Sequence, residues 1–374
     1  MKISVVTNRA PALSVFRRQL LHEMVKSGHV VLAFAPDHDN ESRAILHEIG
    51  VIPVDFYMDR AGVNPIKDLL TILDLKRQLD RHKPDLSFCF FIKPVIYGIL
   101  GSWLAGVRYR FGLIEGLGFA FTQIDSPSLR RLILQKMIGA LARFSLRRAE
   151  GVFFLNPDDQ REFIERRFVT ASRTRLLGGA GVDLAVWPQI PLPEGPINFI
   201  LVARLLRDKG IEDYVSAIRL VRRQYPDARF MLLGGLDDNP SGIRRSEVDA
   251  WVAEGLVEWP GHVAVRPWLE AAHVFVLPSY REGVPISTQE AMASGRPVIT
   301  TDVPGCRETV VHGRNGYLIP PRSPTALAEA MERFLLDRSL IVVMGKESRL
   351  IAEERFDIHK QNHKLMNFMN IPKL

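Results

Sequence analysis

At 374 residues and 47% hydrophobic content, the chain is long enough for two domains, each with its own core, and its composition is that of an ordinary globular protein. Its two cysteines, Cys89 and Cys306, fall in different halves, which excludes a disulfide framework and a cysteine-based metal site and fits a reducing cytoplasm. Charge is uneven, because residues 1–188 carry 26 Lys+Arg against 19 Asp+Glu while the remainder has 23 of each. Confinement of the +7 excess to one half points either to an anionic partner there, such as a membrane surface or a lipid diphosphate, or to a soluble basic surface.

Met1 to Val6 enters an alternating strand directly, so no signal peptide is expected. Strands are predicted over Ile3 to Thr7, His29 to Ala35 and Val51 to Phe56, with helical patterns at Leu13 to Lys26 and Glu41 to Ile49 between them. Alternation of this kind builds a parallel sheet covered on both faces, a Rossmann-like domain. After the turn-rich Asp59 to Asn64 come helix Ile66 to Arg81, strand Asp85 to Phe91, helix Val95 to Ala105 and strand Tyr109 to Ile114. Lys93-Pro94 divides the apolar run Leu86 to Val107, which rules out a membrane span there. Strands Gly151 to Leu155 and Arg175 to Leu177 close the half.

Ligands bind beyond the carboxyl ends of strands in such sheets. That rule selects the loops Asn8 to Ala12, Ile92 to Pro94 and Glu115 to Gly118, where Gly116 and Gly118 allow close backbone approach. Lys93 is either an acceptor-phosphate ligand or an ordinary surface lysine. Asp37-His38-Asp39 has the look of a metal motif but reads as a loop. From Ser128 to Arg148, apolar residues at helical spacing alternate with six Lys/Arg and no acid. Such a helix either lies on an anionic bilayer or packs on the core with a solvated face.

Four prolines between Pro188 and Pro196 read as a stiff interdomain linker. The alternation then restarts with strand Asn198 to Ala203, helix Ile211 to Gln224 and strand Arg229 to Leu233, and continues to strand Pro297 to Thr300. In Ala203 to Gly210, Arg204 offers a fork of donors and Lys209 a mobile point charge, together able to clamp a diphosphate. Pro278 to Gly295 reads as strand end, loop and helix, with Pro285 suited to a first helical position and the first-turn N–H groups left for an anion. Glu282 stands before that helix and Glu290 within it, where a carboxylate can accept two hydrogen bonds from a diol such as a ribose. His273, on an apolar helix end, reads as packing.

The string Leu277-Pro278-Ser279, Glu282-Gly283, Pro285, Ser287, Glu290-Ala291, Gly295 and Pro297-Val298-Ile299 resembles the donor-sugar signature of family 4 retaining glycosyltransferases. Arg204 with Lys209-Gly210 resembles the family's Arg-x4-Lys-Gly element. Ile92 to Gly98, Leu113 to Gly118 and Gly234 to Ser241 are similar to a subgroup that adds a sugar to undecaprenyl-diphosphate-linked saccharides, among them the N-acetylgalactosaminyltransferases of bacterial N-glycan and O-antigen assembly. One departure is Ile92 beside Lys93, where broader family members often carry a His.

The resemblance implies an α/β protein of GT-B architecture, two Rossmann-like domains facing across a cleft. Residues 1–187 would form the acceptor domain, 188–196 the linker, 197–356 the donor domain, and 357–374 a helix returning to the first domain. It implies retaining transfer of a hexose or HexNAc, with N-acetylgalactosamine the first choice, from a UDP-sugar to an undecaprenyl-diphosphate-linked saccharide. No metal, cofactor or nucleic acid is expected, and the enzyme would sit on the cytoplasmic face of the inner membrane through the basic helix. Glu282, Arg204 and Lys209 would be catalytic; Gly283, Val284, Pro285, Glu290, Ser279 and Gly305 would hold the donor; Arg17, Lys93, Glu115, Gly116 and Gly118 the acceptor. A UDP-sugar 2-epimerase, another donor sugar, or a non-catalytic nucleotide-sugar-binding protein are the competing readings. An NAD-dependent oxidoreductase would want a Gly-x-Gly-x-x-Gly turn where Asn8-Arg9-Ala10-Pro11 stands.

Overall fold

The structure, a computed structural model, describes residues 1–59, 64–116, 129–237 and 239–372, with 129–135 described by backbone alone. The chain packs as two units, one of Met1–Gly178 with His359–Leu374, the other of Gly179–Ile358.

In the first unit, β1 (Lys2–Val6) leads through a five-residue π turn (Ala12–Phe16) to α1 (Arg18–Lys26), β2 (Val30–Ala35), α2 (Asn40–Glu48) and β3 (Ile52–Asp55). Then follow α3 (Pro65–His82), β4 (Leu86–Phe90), α4 (Ile92–Leu104), β5 (Tyr109–Ile114), α5 (Leu129–Leu146), β6 (Gly151–Phe154), α6 (Pro157–Glu165) and β7 (Thr174–Leu176). The seven strands are parallel in the order β3-β2-β1-β4-β5-β6-β7. The central strands β1 and β4 are buried along almost their whole length, as strands covered by helices on both faces are, and the serine in each, Ser4 and Ser87, hydrogen-bonds to the other. Helix starts follow their caps: Asp39 accepts from Ser42 N at 2.8 Å, and Asn64 accepts from Ile66 N ahead of Pro65.

Two expected helices begin elsewhere. The pattern over Leu13 to Lys26 divides at Arg17 into the π turn and α1. Helix α4 starts at Ile92, not Val95, because Pro94 falls in its first turn, where a missing N–H forfeits no hydrogen bond. The described part of α5 packs inward: Ala142 and Leu146 are buried and Ser145 Oγ donates to Ile96 O at 2.7 Å, while Met137 and Phe144 stay exposed. Of its cations, Arg143 donates to the carbonyls of Arg166 and Arg167, and Arg148 lies 4.1 Å from the Trp103 ring centre. The terminal helix Ile358–Phe368 packs in this unit from His359 onward, with Phe368 stacked on Phe153 at 5.9 Å and Lys364 Nζ donating to Leu177 O at 2.8 Å.

The second unit comprises β8 (Asn198–Val202), α7 (Ile211–Val221), β9 (Arg229–Leu233), α8 (Arg245–Ala253), β10 (Glu258–Gly261), α9 (Arg266–Glu270) and β11 (Val274–Leu277). After them come α10 (Ile286–Ala293), β12 (Val298–Thr301), β13 (Gly316–Ile319), α11 (Pro324–Leu336) and α12 (Ser339–Arg355). Its six parallel strands run β10-β9-β8-β11-β12-β13 over a core that includes Phe199, Tyr214, Phe230, Val276 and Phe334.

The proline-rich stretch is not where the units divide. It belongs to the second unit, held by side chains far away in sequence. Arg296, fully buried, donates to Ile190 O at 2.8 Å and Pro191 O at 3.0 Å, and Arg338 donates to Gly195 O at 2.6 Å. His273 accepts from Asn198 N at 3.1 Å and its other nitrogen faces Pro193 O at 3.0 Å. Burial first, and then the charge of Arg338, push its pKa down to about 4, so a neutral ring bridges the two backbones. The division itself falls at Gly178–Gly179.

Candidate active site

In both sheets the chain leaves the first strand in one direction and the fourth in the other, so a crevice opens at their carboxyl ends. In the second unit these strands are β8 and β11, and the loops that leave them are Ala203–Gly210 and Pro278–Pro285. Both were picked out by sequence, and the fold makes them neighbours.

Short backbone contacts lock the loops together. Tyr280 N donates to Asp208 O at 2.8 Å, and Glu282 N donates to Pro304 O at 3.1 Å. Gly210 has φ +69°, and a Cβ there would stand 2.0 Å from Pro278 O. Gly305 has φ +81°, and its Cβ would stand 2.2 Å from Glu282 O. Only glycine allows either approach.

Within this frame, Lys209 Nζ lies 2.6 Å from Glu282 Oε1, and both side chains are about 15% exposed (14% and 15%). Partial desolvation strengthens such a pair and makes either partner costly to leave alone. Arg204 reaches Asp237 at 2.9 Å from a mostly exposed position (59%). Glu290 is the fifth residue of α10, about a turn and a half in. Burial pushes its pKa up to about 7, so its charge is poised near neutrality. Ser287 Oγ donates to Val202 O at 3.0 Å and pins the helix start to the end of β8. Cys306 is buried beside these groups; burial, and after it the Glu282 charge, raise its thiol to about 12 and leave it unreactive.

Three more expected donor residues are placed by the loop itself. Ser279 is fully buried and its hydroxyl donates to Asp208 O at 3.1 Å, so it positions the loop and does not face open space. Val284 is buried. Pro285 has φ −67° and ψ 127° and is the residue before the helix, not its first turn, because α10 starts at Ile286. Gly283 lies in the loop between Glu282 and that start. Asp237 and Asp208 were not singled out by sequence; Asp237 falls in the quoted Gly234 to Ser241 turn, and Asp208 acts through its carbonyl, which carries no signal in its side chain.

In the first unit the equivalent strands are β1 and β4. Arg17, 4% exposed, forms an ion pair with Glu115 and lies 5.7 Å from the Phe90 ring centre. Lys93 is paired with Asp68 at 3.0 Å and also donates to the carbonyl of Asp59. Thr7 Oγ1 and Asn8 Oδ1 are buried without a hydrogen-bond partner among the described residues. Phe91, which joins β4 to α4, has φ +69° and ψ 149°, a conformation that favours glycine and stores strain where strained residues tend to mark function. Gly116 has φ +151°; Gly118 lies outside the described residues.

The Asp37-His38-Asp39 loop spends its groups internally. Asp37 accepts from Ala10 N at 2.6 Å, Asp39 caps α2, and the His38 ring meets Ala33 O at 3.0 Å. Among the described residues no group of three His, Cys, Asp or Glu is placed to hold a metal ion, and no helix is long and apolar enough to cross a membrane.

Two Rossmann-like units of this kind are the GT-B fold, and solved GT-B structures match it along almost the whole chain. Sucrose-phosphate synthase from Thermosynechococcus elongatus superposes with a TM-score of 0.82 at 22% identity, covering 99% of this chain and 98% of that one. Anabaena HepE, solved in complex with UDP and glucose, gives 0.78 at 18% identity and 99% of each chain. The model of the "Glycosyl transferase 4-like domain" matches residues 13–179 and that of "Glycosyl transferases group 1" residues 196–337. Together the two models span most of the chain, which is a glycosyltransferase with a 4-like first half and a group 1 second half. It is similar, at 24% identity over 93% of each chain, to the N,N'-diacetylbacillosaminyl-diphospho-undecaprenol alpha-1,3-N-acetylgalactosaminyltransferase of Campylobacter jejuni.

Proposed function

We propose that this glycosyltransferase moves a hexose or HexNAc, with N-acetylgalactosamine the first candidate, from a UDP-sugar to a hydroxyl of an undecaprenyl-diphosphate-linked saccharide, with retention at the anomeric carbon. The observation that carries the donor side is the grouping of Lys209, Glu282 and Glu290 around the start of α10 at the switch point of the second sheet. The acceptor class follows from the similarity to the Campylobacter jejuni enzyme along nearly the full chain.

In this mechanism the diphosphate sits against the first turn of α10, whose leading N–H groups have no intrahelical partner, and takes Lys209 and Arg204 as counter-charges. Glu282 binds sugar hydroxyls beside the turn of Gly305, and Glu290 accepts from the ribose diol. The bond from the anomeric carbon to the β-phosphate oxygen breaks while the acceptor oxygen bonds to the same face of that carbon. The acceptor proton passes to the departing phosphate, and UDP leaves. Lys209, Arg204 and the helix start stabilise the charge that builds on the phosphate, which needs no metal or other cofactor.

On the first unit, Arg17, Lys93, Glu115, Gly116 and Gly118 bind the acceptor. The protein works at the cytoplasmic face of the inner membrane, drawn to its anionic lipids through the basic helix Ser128 to Arg148. No nucleic acid is a partner.

The test is transfer of radiolabel from UDP-GalNAc, UDP-GlcNAc, UDP-Gal and UDP-Glc to short-chain polyprenyl-diphosphate saccharides, with Glu282→Ala and Lys209→Ala beside the wild type. Label in the lipid phase from one donor, lost in both variants, is the expected result. Consumption or isomerisation of UDP-sugar without lipid label would overturn it in favour of an epimerase.

A further inference from the structure

Helix α3 buries Thr71, Leu75 and Leu79 against the first unit, as a covering helix should. Its opposite face is also apolar over the first two turns. Ile66 is 72% exposed, Leu69 55%, Leu70 50% and Leu73 49%, at the i, i+3, i+4, i+7 spacing of a continuous stripe. Further along, the exposed face changes to Lys76 and Arg77, paired with Asp80 and Asp74. A helix apolar on both faces for two turns and charged beyond has a second contact to make.

Three observations identify that contact. First, α3 packs on α4 and α4 on α5, and the sequences of α4 and α5 carry five Lys/Arg and no Asp or Glu. Second, the stripe lies at the helix start, which a parallel sheet places at the carboxyl end of its strands, where Val15 and Phe16 of the π turn after β1 are exposed as well (63% and 56%). Third, Asp68, inside the stripe's own turn, holds Lys93 of the β4–α4 junction at 3.0 Å. The apolar face is thus tied to the loop that should meet a lipid-linked acceptor.

We propose that the Ile66–Leu73 face of α3 enters the acyl region of an anionic bilayer, with the cations of the α4–α5 layer at headgroup level. Apolar burial then supplies the hold and charge the choice of lipid. The inference rests on the membrane reading above, but moves the inserted element from the basic helix, which turns Ala142, Ser145 and Leu146 onto the core, to α3.

The test is co-sedimentation of the full chain with vesicles of phosphatidylcholine containing phosphatidylglycerol and no polyprenyl lipid, comparing wild type with Leu69→Gln/Leu70→Gln/Leu73→Gln and Leu69→Phe/Leu70→Phe. The Gln variant should lose vesicle partitioning by at least about tenfold at an unchanged unfolding midpoint, while the Phe variant keeps it. Wild-type binding that the Gln variant fully retains would overturn the inference and leave the membrane reading standing. No binding by the wild type, or binding only after polyprenyl lipid is added, would overturn the inference too, and the first of these would remove the membrane reading with it. A concentration-dependent dimer that the Gln variant dissociates would show instead that the stripe meets a second copy.

Discussion

The two units share a strand order through their first six strands, and each opens a crevice between its first and fourth strand, yet the crevices are furnished differently. In the second unit the charged groups gather about a glycine-fitted turn. Lys209 and Glu282 are paired to each other at 14% and 15% exposure, Arg204 is largely in solvent, and burial brings Glu290 near its titration point. In the first unit the cation is interior: Arg17 and Glu115 pair at 5% and 16% side-chain exposure, and the unit also holds Thr7 and Asn8 oxygens with no partner among the described residues and a strained Phe91. Topology places a site at both switch points, and the loop side chains decide its chemistry. An exposed Arg204 beside a partly desolvated Lys209 suits an anion that arrives and leaves, whereas Arg17, at 5% side-chain exposure, is held inside the fold.

Substitutions that treat the two pairs alike should therefore give unlike results. The largest effect is expected for Lys209→Ala, which should lower kcat/KM by about 10²–10³-fold through loss of charge stabilisation on the leaving diphosphate. Combining it with Glu282→Ala should cost far less than the product of the single losses, because the two act as one unit. Additive losses in steady-state kinetics would break that claim. Next comes Arg17→Ala, which leaves the Glu115 charge buried and should destabilise the fold by about 3–5 kcal/mol in urea unfolding. Arg204→Ala, at an exposed pair, should change stability by less than about 1 kcal/mol while still weakening UDP-sugar binding.

A smaller effect is expected at Gly305→Ala. The new Cβ must push Glu282 O from 2.2 Å, so both the unfolding midpoint and UDP affinity should fall, the former by more than ~1 kcal/mol equivalent. The smallest is a pH effect at Glu290. Its pKa is raised from 4.5 to about 7 by burial, and ribose hydroxyls prefer the ionised carboxylate. UDP affinity should consequently rise a few-fold as pH increases through about 7 in the wild type and lose that component in Glu290→Gln. The sign for folding is opposite. A carboxyl whose folded pKa lies above its unfolded value loses stability as pH rises from 4.5 to about 7, so the wild type should weaken relative to Glu290→Gln across that window in pH-dependent unfolding.

Much of this was legible from local pattern. Alternating apolar runs with turn residues between them mark nearly every strand of the first sheet, and the loops at Arg204 to Gly210 and Pro278 to Pro285 carry unusual glycine and charge content. What could not be read is decided by partners distant in sequence. Four prolines in nine residues suggest a free, stiff connector, but the buried Arg296 guanidinium donates to the Ile190 and Pro191 carbonyls from 106 and 105 positions away. Ser279 looks like a ligand until Asp208, 71 positions earlier, takes its hydroxyl. The partner of Arg17 stands 98 positions on. Helix Ser128 to Arg148 advertises its cations, yet Arg143 spends its donors on the 166–167 carbonyls. Composition shows which side chains a segment has and not which of them the fold consumes.

The most direct test is a calorimetric titration of UDP into the wild type, Lys209→Met, and Arg17→Met/Glu115→Gln, the last removing both buried charges so that neither is left unpaired. If the second unit's switch point is the donor site, the wild type and the double variant bind UDP alike and the Lys209 variant binds at least about tenfold more weakly. Equal binding by the Lys209 variant, with affinity lost in the double variant, would put the nucleotide on the first unit and contradict the account.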